Sequence, residues 1–314
     1  MDELKLVERL RFEVPEDIDV TGAENRWRRR AYGSPGRRAY AAPARRRRPL
    51  LLSGVAAAAC AGVVATFLVG HEDARPMANV AAVLDKAADQ AAGDPVPRAD
   101  QFVYQESVTR HRVGGVGRWY ETRHRTWDPV GGQGGGLVIE KNSIRPRPGE
   151  VLPPEDESII GPCRDKAPID RPYLGDLPTD TGELLDLLAR QGEGDRSDRQ
   201  WNAVTDRIDR PAPPKVRAAL FRAIAEIPGV RLRDDGVDAV GRHGVAVART
   251  DDDVRDEIIF DRASHRFLGT RTVVAGEGHP FGPPGTSNWS TALLTSKIVD
   301  RAPRPGPDAT PSDC

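Results

Sequence analysis

The hydrophobic pattern contains one long unbroken apolar run and, after it, many short alternating or stepped ones. From Leu50 to Gly70 the chain reads LLLSGVAAAACAGVVATFLVG, 21 residues without a charge. As a helix, a run of that length spans about 30 Å of hydrocarbon. A soluble helix rarely keeps every face apolar for six turns. The run therefore predicts one transmembrane helix over residues 49–70, in contact with the lipid bilayer through residues 50–70. Arg45 to Arg48 stand directly before it, and ten arginines with no acid lie between Arg26 and Arg48. The positive-inside rule then places the N-terminus in the cytoplasm and the C-terminal bulk outside, a single-pass protein of the cell membrane. The competing reading is a cleaved signal peptide with a long basic leader, although the apolar run is longer than such a peptide needs.

Before the anchor, residues 1–48 read as a basic, mostly disordered segment with one short helix. Leu4, Leu6, Val7 and Leu10 give residues 2–12 a helical stripe, which is a candidate docking element for a cytoplasmic protein partner. The rest is too polar to stay folded alone. After the anchor, residues 71–100 read as a connector with a helix over Ala78 to Ala92, broken by Asp94-Pro95-Val96-Pro97.

Residues 101–301 carry the pattern of a folded domain. QFVYQESVTRHRV alternates, with Phe102, Tyr104, Glu106 and Val108 on one face, and Gly114-Gly115 suggests the turn into a second strand over Val116 to Trp127. Leu137 to Glu140 suggests a third strand, and the proline-rich stretch 145–178 reads as surface wrapping. Three helices follow. Asp180 stands three before Glu183 ahead of Leu184, Leu187 and Leu188; Trp201, Val204 and Ile208 mark the second; Pro213-Pro214 opens the third and Pro228-Gly229 stops it. Short β-branched strands then resume at Val230–Arg233, Val237–Arg242, Val245–Thr250, Glu257–Phe260 and Phe267–Val274. A closing strand is expected over Asn288 to Val299, and residues 302–314 read as a disordered tail. Strands, helices, then strands predict an α+β fold: an extracytoplasmic antiparallel sheet, with a half-open barrel as one form it can take, packed on helices.

Charge sharpens the topology. Residues 1–48 carry 13 basic and 8 acidic side chains, while residues 71–314 carry 33 and 39. A charge break at an apolar run is what a membrane boundary looks like.

The stretches LGDLPTDTGELLDLL (174–188), VRAALFRAIAEIPGV (216–230) and GVAVARTDDDVRDEIIF (244–260) resemble an uncharacterised actinobacterial family of membrane-anchored proteins known by a locus-tag label. The resemblance covers most of residues 1–301 and implies topology rather than activity. The element order is also similar, as fold-level analogy, to periplasmic lipoprotein carriers and sigma-regulator sensor domains. The plan of inside helix, anchor and outside domain is similar to transmembrane anti-sigma proteins, but the HxxxCxxC zinc motif of many of those is missing.

Candidate chemistry is sparse. The six histidines show no metal-ligand spacing with cysteines. Glu155-Asp156-Glu157 lacks a calcium-loop pattern and reads as a solvated charge run. The loop Gly131 to Gly136 lacks the ending of a phosphate loop. No nucleophile elbow or ordered triad is present. The arginines before the anchor lack interleaved aromatics, so nucleic acid is not an expected partner. No catalytic, cofactor or metal residue is therefore assigned, and the expectation is a non-enzymatic sensing or binding domain. A carrier of lipid or another hydrophobic ligand is the alternative, with Phe102, Tyr104, Trp119, Trp127 and Trp289 lining its cavity. A transmembrane anti-sigma-like regulator is a further one. Cys163 and Cys314 both fall outside the membrane, where disulfides persist, and form a candidate pair; two free or intermolecular thiols are the alternative.

Overall fold

In the computed structural model the described residues are 77–112, 119–142, 155–163, 165–279 and 281–314. The expected anchor, the 2–12 helix and the Gly114-Gly115 turn lie outside them. Among the described residues no helix is long and apolar enough to cross a membrane. Residues Glu72–Cys314 form one compact unit of α+β class.

The first helix, α1 (Met77–Ala92), is part of that unit's core rather than a free connector. Val80, Leu84, Ala87, Ala88 and Ala91 recur at helical spacing and are buried together with residues of the later helices. Two strands follow, β1 (Phe102–Arg112) and β2 (Trp119–Pro129), paired antiparallel from Phe102↔Pro129 to Arg112↔Trp119. Next come β3 (Gly136–Asn142) and β4 (Asp156–Ile160). The expectation that 145–178 only wraps the surface fails at β4, where Asp156 and Glu157 open a strand instead of a solvated charge run.

The helical section holds α2 (Thr181–Leu188), α3 (Arg196–Thr205) and α4 (Pro214–Glu226). Asp180 caps α2 by accepting the Glu183 amide at 2.9 Å, and Pro214 occupies the first turn of α4. The reciprocal capping box belongs to α3, between Asp195 and Asp198. Ile208 lies beyond the end of α3 but is buried. The last strands are β5 (Arg231–Val237), β6 (His243–Asp251), β7 (Val254–Phe260), β8 (Phe267–Val274), β9 (Ser287–Val299) and β10 (Thr310–Ser312). The two strands expected over 230–233 and 237–242 are one strand with a bulge between Arg233 and Gly236, and 238–242 is a turn.

The ten described strands form one sheet in the order β10-β4-β3-β2-β1-β9-β8-β7-β6-β5. It is mixed, because β10 runs parallel to β4 while the other pairs are antiparallel. The helices cover one face, here called the inner face, at the β5–β7 end. There Leu232, Val245, Val247, Ile258 and Phe260 meet Leu84, Trp201, Leu220 and Ile224 in one core.

β9 does not close an edge. It sits at the centre, paired with β1 on one side and β8 on the other. Its pairing with β8 covers only Arg271↔Ser290, Thr272↔Trp289 and Val273↔Ser287. Beyond that stretch the two strands are tied by side chains. The Thr291 hydroxyl accepts the Thr270 amide at 2.9 Å, and a Cβ on Gly269 would collide with the Thr291 carbonyl. The β5–β6 turn supplies a clasp. Asp238, whose side chain is 0% exposed, accepts the Val240 and Arg242 amides at 3.0 and 2.9 Å and the Arg242 Nε at 2.6 Å. Arg242 Nη2 then donates to the carbonyls of Leu268 on β8 (3.0 Å) and Leu293 on β9 (2.8 Å), and the Ala239 amide donates to the Thr291 carbonyl (3.2 Å).

Residues 302–314, expected as a disordered tail, have a defined path. The Gly306 amide donates to Glu157 Oε1 at 2.6 Å, β10 pairs with β4, and Cys314 is bonded to Cys163 across 151 residues of sequence. A strap with Pro303, Pro305 and Pro307 thus runs from the end of β9 to the far edge of the sheet and protects β4 from being an open edge.

Two outcomes are expected from this architecture. Asp238→Ala leaves the Arg242 guanidinium and two amides without their acceptor, so chemical denaturation should show a loss of about 2–4 kcal/mol. Reduction of the Cys163–Cys314 bond should lower stability by about 2–5 kcal/mol; unchanged midpoints in either experiment would contradict the role given to that contact.

Candidate functional site

Alternation along each strand assigns the side chains of the β1–β4 half to two faces. Gln105, Ser107, Thr109 and His111 of β1, Tyr120, Thr122, His124, Thr126 and Asp128 of β2, and Glu140 of β3 share the inner face. Val103, Val138 and Ile160 share that face, but most of it is polar, unlike the inner face of β5–β7. Above it lies the segment between α3 and α4. The Asp209 carbonyl accepts Gln105 Nε2 at 3.2 Å, and the Asp209 charge acts on both Asp128 and His124. Asp206 is close enough to Asp209 and to Asp256 of β7 to feel both. Carboxylates from β2, from the helix connection and from β7 therefore gather on the inner face.

Arginines hold that connection in place. Arg207 donates to the Ile169 carbonyl at 2.8 Å and to Asp170 Oδ1 at 3.1 Å. Arg210 donates to the Arg171 carbonyl, and Arg217 Nη2 donates to the Arg210 carbonyl at 2.7 Å. These bonds pin the α3–α4 connection that carries Asp206 and Asp209. Burial pushes the Asp128 carboxyl from 3.8 up to about 6, opposed by the Thr126 hydroxyl, which donates to it at 2.9 Å, and by Arg210. Burial likewise lifts Asp206 to about 6 against the pull of Arg207 and Arg210, and raises Asp209 against that of Arg210. Sequence reading missed all three, because their surroundings depend on a register and a helix connection that no local pattern shows.

Ser107, His124 and Glu140 stand in one cross-strand row. His124 Nδ1 lies 3.1 Å from Glu140 Oε1. The row is nevertheless not an assembled nucleophile and base. His124 Nε2 is sealed from solvent and has no hydrogen-bond partner, so Ser107 does not reach it. Among the described residues no three His, Cys, Asp or Glu side chains converge as a metal site.

The aromatics expected to line one cavity are not brought together. Register places Phe102, Tyr104, Trp119 and Trp127 on the outer face, away from the helices, while Trp289 is paired with Thr272 and faces inward. Tyr104 packs on Trp127 at 4.8 Å and lies under Lys297, Trp119 lies under Arg110 and Arg112, and Trp289 packs on His111. Cys163 is buried beside a cleft of about 370 Å³ at the rim of the sheet, lined by residues that include Val96, Pro129, Gly132, Tyr173 and Pro213.

No protein-family model matches the chain, and none of the curated proteins matches it.

The buried carboxyls predict an unusual pH response. Their folded pKa values lie above the unfolded value of 3.8, so the folded state holds extra protons between about 4 and 6. The stability they add is fully present below pH 3.8 and is lost as the pH rises through about 6. Asp128→Asn should raise stability at pH 7 by about 1–3 kcal/mol and flatten its pH dependence between pH 4 and 6, read from urea midpoints across that range. A variant no more stable than the parent at pH 7 would show that the buried charge is compensated.

Proposed function

We propose that this chain is a single-pass membrane-anchored envelope protein, with residues 50–70 as the anchor, the basic N-terminus in the cytoplasm and Glu72–Cys314 as a non-enzymatic sensing or binding domain outside. The reading rests first on the uncharged run and the arginines that precede it. The disulfide supports an oxidising location for the domain. The family resemblance of residues 174–188, 216–230 and 244–260 agrees with this topology.

One observation favours sensing or binding of a polar partner over carriage of a hydrophobe. On the inner face of the β1–β4 half, Asp128 lies beside a helix connection that carries Asp206, Asp209 and Arg210, and these charged groups are not the lining of an apolar channel. A lipid chain placed there would desolvate charged groups and offer them no hydrogen bonds in return. Under the carrier reading, the rim cleft beside Cys163 is a candidate site. The anti-sigma-like reading requires a cytoplasmic partner for residues 2–12.

The test joins topology to content. In membrane vesicles of defined orientation, protease added from outside should release a fragment matching Glu72–Cys314, and the rest should resist carbonate extraction. Native mass spectrometry of the full chain in detergent should show no lipid retained by the domain. Carbonate-soluble chain would overturn the anchor, and a stoichiometric bound lipid would restore the carrier reading.

A further inference from the structure

The rim cleft beside Cys163 has a property that the reading above does not use. Stretches distant in sequence meet in it: residues within 96–99, within 129–132 and within 171–176, with Cys163 and Pro213. Pro97, Pro129, Pro172 and Pro213 supply much of its wall, and Tyr173 lies among them. Tyr173 is only 6% exposed, yet its hydroxyl has no hydrogen-bond partner among the described residues and is not sealed from the cleft. We propose that this cleft binds a small uncharged molecule, an apolar ring carrying a carbonyl, whose oxygen accepts the Tyr173 hydroxyl.

The cleft is preformed. The Cys163 amide donates to the Gly132 carbonyl at 3.0 Å, the Gly131 amide to the Ala99 carbonyl at 3.1 Å and the Leu174 amide to the Pro211 carbonyl at 2.9 Å, so the stretches are tied to one another. Gly131 permits the close approach, because a Cβ there would stand 2.7 Å from the Ala99 carbonyl oxygen. Proline walls add stiffness, and a stiff site loses little freedom when a rigid ligand enters. The volume, about 370 Å³, is near the lower end of small-molecule sites, which run from about 300 to 1,000 Å³; it suits one or two rings and not a two-chain lipid. Charge selects a neutral ligand. Arg171 and Asp176, the charged side chains of the lining, bond each other at 2.6 Å, and Arg171 Nε also donates to the Lys166 carbonyl at 3.1 Å. An ionised ligand would be desolvated beside a pair that already neutralises itself. Tyr173 supplies the polar contact. Burial pushes its phenol up to about 12, against the pull of Arg217, so it stays protonated and donates at neutral pH. Gly175 leaves room for its ring, since a Cβ there would lie 3.2 Å from two ring carbons. The proposal rests on the binding reading of the domain and gives it a ligand class, but it does not need the anchor.

The test uses the purified full chain in detergent, with 1-tetralone as the ketone probe and tetralin as the same skeleton without the carbonyl. Val96 and Val130 line the cleft, so their methyl NMR signals report its occupancy. 1-Tetralone should shift both signals saturably, and the 1-naphthoate anion should not compete with it. Tyr173→Phe keeps the ring and breaks no hydrogen bond, so its circular dichroism spectrum should match the parent's. It should weaken 1-tetralone about fivefold, the worth of one hydrogen bond, and leave tetralin unchanged. Parent and variant share one detergent, so partition of the probes into micelles cancels in the comparison. Absence of saturable shifts with 1-tetralone, a ketone affinity untouched by Tyr173→Phe, an equal loss for tetralin, or effective competition by 1-naphthoate would each overturn the proposal. Carbonate extraction reads the anchor separately. A chain that fails here yet resists carbonate keeps its topology, and one that binds the ketone yet is carbonate-soluble keeps this site.

Discussion

The pairing of β9 holds the domain together. This strand meets β1 along ten residue pairs and β8 along three, and among the described strands it alone links β1–β4 to β5–β8 in the sheet. The short β8 side is the weak point. There the ladder is short, and the carbonyls of Leu268 and Leu293 are met by Arg242, fixed by the buried Asp238. A buried acceptor without a partner is costly, so the clasp converts a gap in the ladder into a closed joint. The strap that follows β9 then carries the chain over to β4 and ends in the disulfide, so both ends of the β1–β4 half are secured after β9 is in place.

Much of the fold was legible because it is local. The stepped pattern of Val80, Leu84 and Ala87 marks a helix, Asp180 and Pro214 mark helix starts, and alternation marks β1, β2 and β8. What escaped was set by partners distant in sequence. Residues 71–100 look like a connector because α1 is short of large apolar groups, and only α4 shows that its alanine face is a packing face. Residues 302–314 look disordered because proline and polar residues dominate them, and a three-residue parallel strand has no signature until its neighbour is known. Asp238 reads as an ordinary turn residue; that its clasp reaches β8 and β9 is a tertiary fact.

The same divide explains the candidate chemistry. The aromatics were legible as bulky strand residues, but their face follows from register, and register sends four of the five outward. Conversely, Asp128, Asp206 and Asp209 look like three of many acids in the sequence. Their distinct behaviour arises because the α3–α4 connection, pinned by Arg207 and Arg210, presses them against a polar inner face. The domain thus has an apolar half that supplies the core and a charged half poised close to neutrality, a division suited to a binding or sensing module.

If β9 is the joint on which both halves depend, opening it must release them together. Native-state hydrogen exchange on the full chain measures this directly. The account predicts that the slowest amides of β1, β7 and α4 exchange with one common opening free energy, equal to that of β9. Protection of α4 and β7 that persists at an opening free energy well above that of β9 would contradict it, because the β5–β8 half would then stand without the strand.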